Sequence, residues 1–128
     1  MVHDIPMDGL NTTLGVDLQE AGPDRVVAAL DVDDRHLQPY GIVHGGVYCS
    51  LVETCASVGA ALWFGDRGRV VGVANHTDFL RATRHGRITA TATPVHRGRT
   101  QQLWLVEIND AERRLVARGE VRLQNLVP

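Results

Sequence analysis

The spacing of hydrophobic positions along the chain changes twice, and each change marks a different kind of element. Between residues 12 and 32 the runs are short: Leu14, Val16 and Leu18 alternate with polar or small residues, and RVVAALDV follows the turn Glu20-Ala21-Gly22-Pro23-Asp24. Alternation on both sides of a Gly-Pro turn predicts a β-hairpin. Residues 33–42 (DDRHLQPYGI) lose the pattern and carry Pro39 and Gly41, which predicts an irregular loop. Then the period disappears. From Gly45 to Phe64 the chain reads GGVYCSLVETCASVGAALWF, without proline and with Glu53 as its only carboxylate. That length suits a helix, and a helix apolar on nearly all sides is either a core helix or a membrane span. A carboxylate near the middle and the small residues Ser50, Thr54, Ser57 and Gly59 favour a core helix wrapped by a sheet.

The second half is strand-like throughout. Residues 69–81, 87–96, 101–109 and 113–123 form four runs, separated by short breaks at 83–86, 97–99 and 110–112. Such short connections predict that consecutive strands are antiparallel neighbours. Ile88, Ala90 and Ala92 alternate with Thr89, Thr91 and Thr93, the pattern of a half-buried strand. The expected architecture is α+β, one antiparallel sheet curled around one long helix. It is a single domain over residues 1–128, with a flexible stretch of about ten residues at its start.

Composition removes several classes of function. All 13 basic residues are arginine, which excludes Schiff-base chemistry and a phosphate-loop lysine. A net charge of −2 and few aromatic residues argue against a nucleic-acid binder. The six histidines are scattered without a metal-ligand spacing, so no metal is expected. Cys49 and Cys55, six apart, point about 120° away from each other on a helix and read as buried, reduced thiols. The opening MVHDIPMDGL has no basic region followed by an apolar core, so the expectation is no secretory signal and a cytoplasmic protein.

The residues that could carry chemistry gather where loop becomes helix. His44, Gly45 and Gly46 stand at the first helical turn, where N–H groups are unpaired and a partial positive charge collects. Glycine there lets a carbonyl oxygen reach the backbone, an arrangement that stabilises developing negative charge. The plainer reading is that the glycines only shape the entry turn. Glu53 lies two turns on, roughly 11 Å along the axis, too far to share one carbonyl with Gly45 of the same chain. A buried carboxylate needs a partner or a use. Arg81 could be that partner; otherwise Glu53 is functional and works with a second copy of the chain. Ser57, one turn further on the same face, could hold a water or the carboxylate. His44 could orient a carbonyl or cap the helix, and Gln38 could donate an amide hydrogen bond or be loop surface. Arg81, and the turn Arg97, Gly98, Arg99 and Thr100, could bind phosphate or be solvated surface. No Ser or Cys carries a nucleophile-elbow motif.

The segment GIVHGGVYCSLVETCASVGAALW resembles the signature helix of the hotdog-fold thioesterases, in the branch of phenylacetate-pathway and 4-hydroxybenzoyl-CoA thioesterases. The likeness continues through VVGVANHTDFLRATRHGRI and HRGRTQQLWLVEINDAERRLVARGEV, covering residues 12–123. It implies an acyl-CoA thioesterase that needs no cofactor, coenzyme A being part of the substrate. It also implies a homodimer with active sites at the interface, often paired into a homotetramer. By resemblance Glu53 is the catalytic carboxylate, as nucleophile or general base, and the Gly45 amide polarises the thioester carbonyl. Gln38, His44 and Ser57 assist, while Gly46, Arg81, Arg97, Gly98, Arg99 and Thr100 contact coenzyme A. One departure is Phe79, where some relatives carry a histidine near the pantetheine path. The resemblance points to an aromatic or medium-size acyl group. A non-catalytic acyl-CoA-binding module and an enoyl hydratase or dehydratase of the same fold are the alternatives.

Overall fold

In the computed structural model, which describes residues 2–128, the proline-free run becomes α2 (Gly45–Phe64) with the bounds its sequence predicts. Around it curls one six-stranded sheet made of β1 (Asp17–Ala21), β2 (Val26–Val32), β3 (Arg69–Phe79), β4 (Gly86–Arg97), β5 (Gln101–Asn109) and β6 (Leu115–Leu126). The strand order is β1-β2-β4-β5-β6-β3 and every pairing is antiparallel. The alternating Ile88, Ala90 and Ala92 of β4 and Trp104, Val106 and Ile108 of β5 point inward and are buried. They meet Leu51, Val52, Cys55, Ala56 and Ala60 on the sheet side of α2. Pro94 is tolerated inside β4 because β2 stops pairing at Ala92, so its missing N–H costs no ladder bond.

Two expectations need correction. The stretch from Thr12 to Leu14 is not a strand: α1 (Leu10–Leu14) forms there and is closed by Gly15 at φ 71. A left-handed residue ends a helical turn, and glycine adopts it without a Cβ penalty. The second correction concerns order in the sheet. β3 and β4 are consecutive in sequence but not neighbours, because β6 and β5 lie between them. Three strand spacings amount to about 14 Å. The six residues 80–85 can reach about 20 Å when extended, so a short link crosses the end of the curled sheet. It is held on the way by Leu80 N–H to Val116 O (2.9 Å) and Val43 N–H to Thr83 O (2.8 Å).

The helix is long and apolar enough to cross a membrane, but it is the core helix of this fold, with one face against the sheet. It lies close against the sheet at Gly59, where an added Cβ would lie 2.5 Å from two ring carbons of the fully buried Trp104. Trp104 is held in turn. Its indole N–H donates to Gln102 Oε1 (2.8 Å), and Gln102 Nε2 donates to Ala60 O (3.2 Å) and Asn125 Oδ1 (2.9 Å). Asn125 Nδ2 then donates to Gly98 O (3.1 Å) and Arg99 O (3.2 Å), linking α2, β5, β6 and the β4–β5 turn through satisfied buried groups. At the C-terminus of α2, Arg67 donates to the carbonyls of Trp63 and Phe64, where a cation suits the helix dipole. Val2, Ile5 and Met7 pack against the edge of the core.

Gly59→Ala should therefore overpack the core and cost about 1–3 kcal/mol, read as a Tm lower by several degrees. Gly72→Ala, where a Cβ meets nothing within 4 Å, is the control and should leave Tm nearly unchanged. A second expectation comes from the β5–β6 hairpin. Burial alone would raise the Asp110 carboxyl, but the backbone N–H and guanidinium of Arg114 outweigh it and hold the group below its ordinary value. A folded-state value below the unfolded one stabilises above the unfolded pKa of about 3.9 and is lost as pH falls through the folded value. The Tm deficit of Asp110→Asn should thus be fully present at pH 7 and shrink below about pH 4.

Candidate active site

The loop before α2 is rigid for reasons its polar residues supply. Asp33 accepts the Arg35 N–H (3.1 Å), and its own N–H donates to His36 Nδ1 (2.9 Å). The fully buried His36 therefore carries its proton on Nε2, which donates to Leu14 O (2.7 Å). From this frame the His36 carbonyl accepts the His44 N–H (2.8 Å), and Gln38 N–H donates to Ile42 O (2.9 Å). A tight loop results, and it delivers Gln38 to the N-terminus of α2. Sequence reasoning missed His36 and Asp33; a Asp-x-x-His spacing ahead of a helix was the available signal.

At the helix start the two glycines have different duties. His44 is the N-cap, and its Nδ1 accepts the Gly46 N–H (2.8 Å). The Gly46 amide is thus occupied, while no acceptor among the described residues takes the Gly45 N–H. His44 acts here as a cap, one of the two roles its sequence position allowed. Gln38 Oε1 accepts the Tyr40 N–H, which leaves Nε2 as the donor that Gln38 can offer. Gly45, Gln38, Tyr48, Phe79 and Arg81 line one cavity of about 300 Å³. Burial pushes the Tyr48 phenol up, so this wall is neutral. The Phe79 ring stacks near Tyr48 with centroids 5.9 Å apart and covers Gly45 closely enough that a Cβ there would lie 2.5 Å from two of its carbons.

Glu53 is elsewhere and is not buried, contrary to the expectation for a lone carboxylate in an apolar helix. The sheet covers only one side of α2. Ser50, Glu53, Ser57 and Ala61, spaced three or four apart, form a stripe on the other side, with Cys49 beside it. Glu53 has no hydrogen-bond or ion-pair partner among the described residues, and Arg81, lining the Gly45 cavity, does not neutralise it. It lines a cavity of about 550 Å³ with Ser57 and a second of about 290 Å³ with Cys49 and Asn75. Cys49 is half-buried rather than buried, while burial pushes the Cys55 thiol up to about 12.

The arginine groups separate as well. Arg81 is brought to Gly45. The β4–β5 turn sits at the other end of α2, where Arg97 lies 5.3 Å over the Trp63 ring. From Gly45 to Trp63 the helix rises roughly 27 Å. Arg97 also donates to Asp24 Oδ1 and Pro23 O, both at 2.8 Å, so its guanidinium is already engaged. Gly98 closes the turn through its N–H to Gln101 O (2.8 Å), and Arg99 and Thr100 are exposed. Within one chain, then, Gln38, Gly45 and Arg81 come together, Glu53 and Ser57 come together, and the 97–100 turn joins neither group.

Known proteins place this arrangement. Residues 40–117 match the family model of the thioesterase superfamily. The crystal structure of AziG from S. sahachiroi superposes with a TM-score of 0.93 at 52% identity, covering 96% of this chain and 100% of that one. A thioesterase structure from Haemophilus influenzae gives a TM-score of 0.86 at 34% identity, covering 91% and 81%. The 1,4-dihydroxy-2-naphthoyl-CoA hydrolase of Escherichia coli is 34% identical over 102 residues, 80% of this chain and 75% of that protein. The chain belongs to the thioesterase superfamily and is a thioester hydrolase with the hotdog fold.

Proposed function

We propose that the protein hydrolyses acyl-CoA thioesters, R–CO–S–CoA, to a carboxylic acid and free coenzyme A, at sites shared between two copies of the chain. One observation carries the reading: an open Gly45 N–H at a helix N-terminus and an unpaired Glu53 lie in separate cavities of the same chain. Eight residues of helix hold them about 12 Å apart, so neither can complete the other's site. A second copy can. β3 is a long edge strand, paired only with β6, and it exposes Val71, Val73 and Phe79. Antiparallel pairing of two such edges would satisfy their open backbone groups and set the two α2 helices antiparallel. The Gly45 end of one helix then faces Glu53 of the other. The working unit is a homodimer, or a homotetramer built from two of them.

In that site the Gly45 N–H and the Gln38 amide receive the carbonyl oxygen as it gains charge. Removing such a donor costs about 10²–10³ in kcat. Glu53 takes a proton from water as the oxygen attacks the carbonyl carbon, or attacks the carbon itself. Either way the C–S bond breaks and the thiolate leaves with the electron pair, to be protonated as free coenzyme A; on the second route water then cleaves the acyl–Glu53 anhydride, releasing the acid and restoring the carboxylate. Ser57, with no described partner, is available to hold the water. Arg81 beside the Gly45 cavity suits a phosphate of coenzyme A. The aromatic acyl group named in the naphthoyl-CoA relative supports an aromatic or medium-size acyl group here. A coenzyme A thioester as substrate supports the reading of a cytoplasmic enzyme.

Glu53→Gln should lose most hydrolysis with its Tm preserved, measured as thiol release from CoA thioesters. Binding without thiol release by the wild-type protein would instead identify a non-catalytic acyl-CoA module. Gly45→Ala should also lose activity, because the new methyl group displaces Phe79 and crowds the carbonyl site. Mixing the two inactive variants provides the sharper test. Random exchange makes half of the dimers mixed, and each mixed dimer has one intact site, restoring about a quarter of wild-type activity. No recovery on exchange would overturn the shared site. Single turnover in ¹⁸O water that leaves label in Glu53 identifies attack by Glu53, through an anhydride that water opens at the Glu53 carbonyl.

A further inference from the structure

The larger cavity beside Glu53 has a wall that neither the helix nor the sheet supplies. Across about 550 Å³ from Val58 and Leu62 of α2 stand Ile5, Pro6 and Met7 of the N-terminal segment, with Val70 of β3 closing one side. This segment is pinned to the fold. Ile5 N–H donates to Val2 O (3.2 Å), Thr12 Oγ1 donates to Met7 O (2.8 Å), and Thr54 Oγ1 of α2 donates to Asn11 Oδ1 (2.8 Å). Ile5 and Met7 also pack on the core edge. A wall anchored at both ends can act as a fixed boundary for a ligand. Its residues lie outside the 40–117 span that matches the family model.

We propose that Ile5, Pro6 and Met7 are the acyl-specificity wall of the enzyme, limiting the size of the acyl body that lies along α2 beyond Glu53. The reading rests on Glu53 acting at the thioester carbonyl. Of the two cavities that Glu53 lines among the described residues, this is the larger and the more apolar, and its volume falls in the range of small-molecule sites. Ile5, Pro6, Met7, Val58, Leu62 and Val70 offer an acyl body apolar contact, and the charged residues among the described lining, Asp4 and Glu53, are both acidic. The acyl group it suits is neutral and apolar; a second carboxylate at its far end would be desolvated without a counter-ion. A pocket of this kind discriminates by fit, where one methylene changes rates about 10–200-fold.

The test compares kcat/KM for butanoyl-, octanoyl-, benzoyl-, naphthoyl- and succinyl-CoA in the intact oligomer. Met7→Trp, which fills the cavity, should lower the naphthoyl-to-butanoyl ratio about tenfold or more. Met7→Ala, a milder change that keeps the backbone anchor at Met7 O, should move the ratio the other way. Leu62→Trp narrows the same space from α2 and should act in the direction of Met7→Trp. Succinyl-CoA should be the poorest of the four-carbon substrates in the wild type. A common scaling of all substrates by both Met7 variants overturns the wall, as does succinyl-CoA matching butanoyl-CoA. Failure of the underlying chemistry is distinguishable: it appears as full turnover by Glu53→Gln, whatever the Met7 ratios do.

Discussion

A single sheet can cover only one side of a helix it curls around, and this limit organises the molecule. On the covered side α2 sacrifices bulk for proximity: Ala56, Gly59 and Ala60 let the helix settle onto the strands, and Trp104 fills the space Gly59 leaves. The chain Trp104, Gln102 and Asn125 satisfies the polar atoms that this contact buries. On the uncovered side the helix carries Ser50, Glu53 and Ser57, residues that tolerate water and can do chemistry. Burial and function are therefore assigned to opposite faces of one element. Among the described residues the N-terminal segment meets part of that open face, at Thr54, Val58 and Leu62, and leaves Glu53 exposed.

The start of the helix resolves a competition for its backbone donors. An N-cap residue normally satisfies one of the orphan N–H groups. Here His44 does so at Gly46, one residue beyond the amide of interest. The cap stabilises the helix and still leaves the Gly45 N–H open, with the partial charge of the helix end behind it. Phe79 shields that position from bulk water while remaining 55% exposed, at the surface where β3 has no second neighbour. A carbonyl entering between Phe79 and Gln38 would meet donors that are already oriented. Little reorganisation accompanies charge development under those conditions.

Much of this was legible in the sequence because it depends on local pattern. Absence of proline and loss of periodicity marked Gly45–Phe64, and the Ile88, Ala90, Ala92 alternation marked β4. The hotdog fold and the thioesterase family were readable from the HGG start and the later strand sequence. What stayed hidden depends on distance across the fold. The β3–β4 connection is short enough for a hairpin, and the curl of the sheet lets six residues cross three spacings instead. Glu53 looked buried because its neighbours in sequence are apolar, whereas its exposure is set by which side of α2 the sheet occupies. The wall at Ile5 to Met7 gives no periodic signal, since three residues in an irregular segment have no face to repeat.

The arginine set shows how the fold narrows a chemical inventory. Without lysine, thirteen guanidinium groups carry all side-chain cations except protonated histidine. Several are committed to the scaffold. Arg87 bridges Asp17 and Asp31 across β1, β2 and β4, Arg114 holds Asp110, and Arg67 caps α2 while stacking 4.4 Å over Trp63. Arg97 lies 5.3 Å from the same ring and pairs with Asp24. Planar guanidinium suits these tasks because it can stack and hydrogen-bond at once. Those commitments place the basic β4–β5 turn in the architecture around Trp63. Arg81 differs: its backbone is fixed by the Val116 carbonyl (3.2 Å), and its residue lines the cavity that holds Gly45. Its guanidinium has no hydrogen-bond or ion-pair partner among the described residues, so the fold leaves this cation free at the Gly45 cavity.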